Sequence, residues 1–203
     1  MRRFFNAESG LWQLFGFIGD LVMLSLFWLL CSAPVVTAGA ASAALYDAAL
    51  RGFRQGERNS LTRYFTVFRR EWRNGLLPSL LCAALLLALF TLWRRLTATL
   101  PELPSAALLV PLLVLPLGIV AWVFPMLSRF TLSLGALLSN SLRLALSQIL
   151  RTLALGALCF ASLWLTLRLA LLPVFFLPAL LALVCSFLIE PVFRRYEEAE
   201  ETE

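Results

Sequence analysis

Few residues in this 203-residue chain belong to the types that carry out chemistry. Histidine is absent, which removes the commonest general base and the commonest metal ligand. The four cysteines lie far apart, each inside an apolar run, and no C-x-x-C pair indicates zinc or redox chemistry. No glycine-rich phosphate loop, G-x-S-x-G motif or carboxylate pair placed for acid–base work is found. The sequence therefore predicts a non-enzyme with no catalytic, cofactor-binding or metal-binding residues.

Asp20 is the one carboxylate that falls deep inside a long apolar segment, about 13 Å from its start at 1.5 Å per residue. A charge inside a membrane is costly, so such a residue is a functional candidate by default. Two interpretations stay open: contact with a proton or solute, or a structural hydrogen bond or ion pair. Gly16 lies one turn earlier on the same face, which predicts that another helix approaches there.

Two further acids have an arginine four residues later, at the spacing of an ordinary stabilising pair on a helix. Asp47 precedes Arg51 in this way, and Glu190 precedes Arg194. The sequence predicts local ion pairs at both places.

The composition is that of a membrane protein. Hydrophobic residues make up 61% of the chain and charged residues 14%, and the mean hydropathy is +0.85. Soluble domains are about 25% charged. The net charge of +5 comes entirely from arginine, since lysine is absent. Membrane proteins keep basic residues in their cytoplasmic loops, so the expected partner is a lipid bilayer and not nucleic acid.

The apolar segments predict an all-α, polytopic transmembrane helix bundle of five to six spans forming one membrane domain. Pro34 is expected to end the first span, because proline disfavours helix before it. Small residues fill the second segment, where Gly39 and Ala43, four apart, would let helices approach closely. That segment is either a short, protein-packed span or a re-entrant hairpin. The expected spans are 11–33, 37–50, 76–93, 106–127, 152–167 and 169–189.

Two amphipathic helices are expected between the spans. In the first, at 60–74, an apolar stripe of Leu61, Phe65, Phe68 and Trp72 opposes arginines, which is typical of a helix lying in the membrane interface. The second, at 130–150, is expected to be interfacial or packed in a groove. Its polar face would carry Asn140, Arg143, Ser147 and Arg151. The acidic tail at 194–203 is expected to be disordered.

The distribution of arginine predicts the orientation. With six spans and a cytoplasmic N-terminus, fourteen of the seventeen arginines lie inside. With five spans and an external N-terminus, twelve lie inside. Both layouts place the first amphipathic helix and the C-terminus in the cytoplasm.

Several short runs resemble the signature of the YesL family. The resemblance is strongest in the first 75 residues, in the run Cys31-Ser32-Ala33-Pro34-Val35-Val36-Thr37-Ala38-Gly39. It continues through Ala44-Leu45-Tyr46, the helix with Tyr64, Phe65 and Phe68, and the run from Phe124 to Phe130 with Arg129. The chain departs from the pattern at Ser25, where the family has asparagine.

The resemblance implies a bacterial inner-membrane protein of unknown biochemical function, whose relatives are often encoded beside carbohydrate ABC importers. A partner protein of such an importer, in contact with its subunits, is the first hypothesis, with the Gly39–Ala44 segment as a packing surface. The alternative is a small transporter or channel with Asp20 in the solute or proton path. The candidate functional or packing residues are Asp20, Pro34, Thr37, Gly39, Phe65, Phe68, Trp72, Arg129 and Asn140.

Overall fold

A computed structural model describes residues 5–56, 59–99, 110–130, 132–169 and 172–200, and within these ranges it contains helices and turns but no strand. The main helices are α1 (Phe5–Ser32), α2 (Ala38–Ala49), α3 (Ser60–Glu71), α4 (Leu76–Thr99), α5 (Leu115–Arg129), α6 (Leu134–Ser147), α7 (Ile149–Arg168) and α8 (Leu177–Glu200). Short turns of 3-10 or π-helix occupy Val35–Thr37, Leu50–Arg54, Val110–Val114 and Leu172–Phe175.

Four stretches of the described chain are long and apolar enough to cross a bilayer: Leu76–Thr99, Leu112–Arg129, Ile149–Arg168 and Leu177–Arg195. A shorter apolar stretch, Gly16–Ser32, belongs to α1. These helices are those of a membrane protein and coincide with five of the six expected spans. Residues 106–109 of the expected fourth span lie outside the described ranges.

The small-residue helix α2 lies at the centre of the fold. It contacts α1, α3, α4, α5 and α8, and ten of its twelve residues are buried. Alanine and glycine side chains are short enough for several helices to approach one backbone closely. The expectation of a protein-packed helix at 37–50 is therefore confirmed, while the number of spans stays a prediction.

Helix α3 packs against α2 through a face that lies one residue before the predicted apolar stripe. Its buried residues are Ser60, Tyr64, Val67 and Glu71, whereas Phe65 and Trp72 are exposed. A shift of one residue turns a helix by about 100°. The exposure of Phe65 and Trp72 is compatible with the predicted interfacial helix, which stays a prediction. The packing of Tyr64 and Val67 against the rest of the fold was not predicted.

The predicted helix at 130–150 is shorter in the structure and separate from the next span. Helix α6 ends at Ser147, and Gln148 adopts the non-helical backbone angles φ −119° and ψ 49°. Arg151 therefore belongs to α7, and its expected place on the same face as Asn140 and Arg143 was wrong.

The last span begins and ends later than predicted. Its first turn starts at Leu177 after the 3-10 turn at Leu172–Phe175, which contains Pro173. Proline lacks the N–H needed inside a helix and fits best in a turn or a first turn. At the other end α8 continues to Glu200, so the expected disorder was wrong for residues 194–200, and residues 201–203 of the predicted tail lie outside the described ranges. Glutamate and arginine are good helix formers, and Arg194 pairs with Glu190 one turn earlier.

Two hydrophobic clusters form the core around α2. One joins α2 to α5, α6, α7 and α8 around the fully buried Trp122. The other joins α2 to α1, α3 and α8 around Leu24 and Tyr64. In the second cluster, Ser25 accepts a hydrogen bond from the backbone N–H of Ala179 at 3.2 Å, so the serine ties α1 to the start of α8.

Candidate functional site

Three of the described carboxylates are buried: Asp47, Glu71 and Glu190. Each of them is within ion-pair distance of at least one arginine. An unpaired buried charge is strongly destabilising, whereas a paired and hydrogen-bonded one is tolerated. These acids therefore fix helices relative to one another.

Asp47 joins α2 to α3. Its two oxygens accept hydrogen bonds from Arg63 at 2.6 and 3.5 Å and from Arg51 at 3.4 Å. The predicted local pair with Arg51 is thus present. The shorter contact, to Arg63 sixteen residues away, was not predicted.

Glu71 lies at the end of α3 and was missed by the sequence interpretation. Arg70 donates to its carboxylate at 2.6 Å and also donates to the Ser128 carbonyl of α5 at 2.8 Å. Asn74 donates to the second carboxylate oxygen at 3.4 Å. The signal in the sequence is the spacing of Glu71 after Tyr64 and Val67, which places all three on one helical face.

Glu190 is held mainly by Arg129 and only secondarily by the predicted partner. One guanidinium nitrogen of Arg129 lies 2.7 and 2.8 Å from the two carboxylate oxygens, whereas Arg194 is 3.6 Å away. Arg129 ends α5 and Glu190 lies in α8, so this pair joins two apolar helices near their ends. The candidate Arg129 is therefore placed in a buried ion pair.

A second arginine contacts α8 one turn before Glu190. Arg54 donates to the Ser186 carbonyl at 2.9 Å and lies 4.5 Å from the Phe187 ring centroid.

The hydroxyl of Tyr46 is buried, and none of the groups that the structure describes forms a hydrogen bond with it.

Asp20 lies on the exposed surface of α1, outside the packed core. A Cβ placed on Gly16 would meet nothing within 4 Å, so none of the described helices makes a close approach at this glycine. Asp20 is not among the residues lining either of the two cavities described below.

Pro34, Thr37 and Gly39 build the sharp connection between α1 and α2. Pro34 precedes the 3-10 turn, and the Thr37 hydroxyl donates to the carbonyls of Cys31 and Pro34 at 2.6 and 2.9 Å. The Gly39 N–H donates to Ser79 at 3.1 Å, and a Cβ on Gly39 would lie 2.9 Å from both the Gly75 carbonyl and Phe124. The Gly39–Ala44 surface is thus covered by this chain's own helices, which contradicts its predicted use for an outside partner.

An exposed strip of aromatic and basic side chains runs along the side of α3 that faces away from α2. It consists of Phe65, Arg69, Trp72 and Arg73, which we call the aromatic–arginine edge. Phe65 is 44% exposed and Trp72 46% exposed, and Arg73 lies 5.9 Å from the Trp72 ring centroid. The candidate Phe68 is only partly buried beside them and stacks on Tyr64, with 6.2 Å between ring centroids.

The face of α3 opposite this edge is firmly attached to the fold. The Tyr64 hydroxyl donates to the Phe27 carbonyl of α1 at 3.4 Å, and burial raises the pKa of this phenol, so it stays neutral. The Phe65 ring also contacts Phe27, edge to face, at 4.9 Å between centroids. The edge is therefore presented in a defined position.

The larger of the two cavities, of about 460 Å³, lies between α5, α6 and α8. The candidate Asn140 lines it together with Arg143 and Ser147, which were predicted to lie on the same helical face. Met126, Phe130 and Phe193 form its apolar walls. The other, about 200 Å³, lies among leucines between α7 and α8.

The four cysteines are free thiols, two of them buried. Among the residues that the structure describes, no group of three acidic, cysteine or histidine residues could hold a metal ion.

Comparison with known proteins gives two matches that agree with each other. A family described as "Protein of unknown function, DUF624" matches residues 21–93, from Leu21 in α1 to Trp93 in α4. The "Uncharacterized protein YesL" of Bacillus subtilis (strain 168) is 27% identical over 208 residues, covering 98% of this chain and 96% of that protein. No solved structure matches the chain. The similarity in sequence extends over almost the full length of both proteins and supports membership of the YesL family, as the resemblance predicted.

Proposed function

We propose that this chain is a non-enzymatic, multipass protein of the bacterial inner membrane that works by binding a partner protein through the aromatic–arginine edge. The partner would be a subunit of a carbohydrate ABC importer, the setting that the family resemblance implies. The C-terminus and α3 would lie in the cytoplasm, where most of the arginines are expected.

The exposure of Phe65 and Trp72 on a firmly held helix carries the proposal. Aromatic residues and arginine are enriched at protein interfaces, where they contribute most of the binding energy. A rigidly held edge loses less conformational entropy on binding than a flexible one. Tyr64, Val67 and the Arg63–Asp47 ion pair supply that rigidity.

The buried carboxylates support a binding role over a chemical one. Each of Asp47, Glu71 and Glu190 is within 2.7 Å of an arginine nitrogen. The oxygens of an acid held in this way are occupied by arginine N–H donors. The described carboxylates are therefore better suited to hold helices together than to exchange protons.

Transport by the chain itself is the alternative, and the position of Asp20 disfavours it. A carboxylate in a solute path is expected to face the interior of the bundle, whereas Asp20 lies on the outer surface of α1.

The test is purification from the native host in mild detergent, with identification of the proteins that co-elute. We expect importer subunits to co-elute with the wild type and to be lost with the double variant Phe65→Ala, Trp72→Ala. Phe90→Ala is the matched control, since Phe90 is 42% exposed on α4. Equal recovery from all three proteins would contradict the proposal. Solute flux in proteoliposomes that is lost on Asp20→Asn would favour transport instead.

A further inference from the structure

The cavity between α5, α6 and α8 combines a polar wall with apolar surroundings. Asn140, Arg143 and Ser147 of α6 form the polar wall, and five of the eight lining residues that the structure describes are apolar. Arg143 is exposed, and within the described part of the chain no carboxylate pairs with it. An uncompensated guanidinium beside an apolar pocket is suited to a ligand with an anionic head and an apolar body.

Positive charge is in excess around this cavity. Phe193 lines it, and the Arg129 guanidinium lies 5.7 Å from the Phe193 ring centroid. Arg129 and Arg194 share the single carboxylate of Glu190. Arg143 adds a further guanidinium beside this ion-paired group, which favours an anionic ligand.

The cavity lies where the ends of apolar helices meet. Arg129 is the last residue of α5, and α7 begins at Ile149, just after α6. The Phe130 ring packs edge to face on Phe193 of α8 at 5.9 Å. Arginines at the ends of apolar spans mark the level of the lipid headgroups.

Leucines beside Arg143 are exposed to the surroundings of the protein. Leu142 is 46% exposed, Leu146 61% and Leu150 81%. In a membrane protein such leucines face acyl chains, so the mouth of the cavity adjoins the lipid-facing surface.

We propose that this cavity binds an anionic membrane phospholipid. The phosphate hydrogen-bonds Arg143, with Asn140 and Ser147 within reach, and the first part of an acyl chain packs against Phe130 and Phe193. This site is independent of the aromatic–arginine edge on α3.

The test is native mass spectrometry of delipidated protein exposed to equal amounts of phosphatidylglycerol and phosphatidylcholine with the same acyl chains. We expect the wild type to retain phosphatidylglycerol preferentially. Arg143→Gln should lower that preference about fivefold, the effect of one arginine next to an anionic lipid surface, and Arg143→Lys should largely preserve it. The control is Arg95→Gln, another exposed arginine, which lies near the end of α4.

An unchanged preference in Arg143→Gln, or an equal loss in Arg95→Gln, would overturn the proposal. Glycerol 3-phosphate, which has the phosphate but no acyl chain, should not displace the bound lipid. Its displacement of phosphatidylglycerol at equal concentration would indicate a site for soluble phosphates and would also overturn the proposal. Size-exclusion profiles of all variants check that they are folded.

Discussion

Asp47 and Glu190 each pair with an arginine four residues later and with an arginine of another helix. The Asp47–Arg51 and Glu190–Arg194 pairs follow from spacing along one helix, and both are present. The closer contacts are made by Arg63 and Arg129, at 2.6 and 2.7 Å. Such pairs depend on which helices are neighbours, and that information is absent from the spacing of residues within one helix.

Removing the carboxylate charge of Glu190 is expected to destabilise the fold strongly. The Glu190 side chain is 5% exposed and that of Arg129 19%, so Glu190→Gln removes the negative charge from a largely buried ion pair. Breaking a buried pair in this way costs about 3–5 kcal/mol. The free energy of unfolding, measured by denaturant titration in detergent micelles, checks this value.

Arg194→Gln serves as the control for this experiment. Its side chain is 66% exposed and lies 3.6 Å from the same carboxylate. Exposed pairs contribute about 0–1 kcal/mol. Similar losses in both variants would mean that Arg129 is not the main partner of Glu190.

At the scale of helices, the sequence predicted which segments are helical better than which faces they bury. Long leucine-rich runs require helix because a membrane leaves backbone groups no other partner. The face of α3 that packs on α2 was not predicted, since two of its residues, Ser60 and Glu71, are polar yet buried. The close contact between α5 and α7 was also missed, although it is marked by Gly118 and Gly156.

Alanine at Gly156 is expected to separate α5 from α7. A Cβ there would clash with the Val114 carbonyl, which is backbone and cannot rotate away. Overpacking of this kind costs about 1–3 kcal/mol. The thermal midpoint of unfolding in detergent should therefore fall.

The same substitution at Gly135 provides the comparison. A Cβ at this α6 position would meet nothing within 4 Å, so Gly135→Ala should keep or raise the midpoint through better helix propensity. A midpoint unchanged in Gly156→Ala would show that the two helices are not in tight contact.

For the molecule as a whole, composition predicted the class of protein, and the resemblance to the YesL family predicted the family, which the full-length similarity confirms. The central position of α2 was only partly predicted. Its small residues indicated close packing, but the arrangement of five neighbouring helices around α2 depends on the complete fold. The partner surface that we propose is instead on α3, where Phe65 and Trp72 are exposed.

The most direct test of a partner at the aromatic–arginine edge is photo-crosslinking in living cells of the native host. A benzophenone amino acid replaces Phe65 in one variant and Phe90 in another, since both side chains are exposed to a similar extent. The account predicts one discrete crosslinked protein from position 65, identified as an importer subunit, and none from position 90. Crosslinks from position 65 to lipid alone, or the same products from both positions, would contradict it.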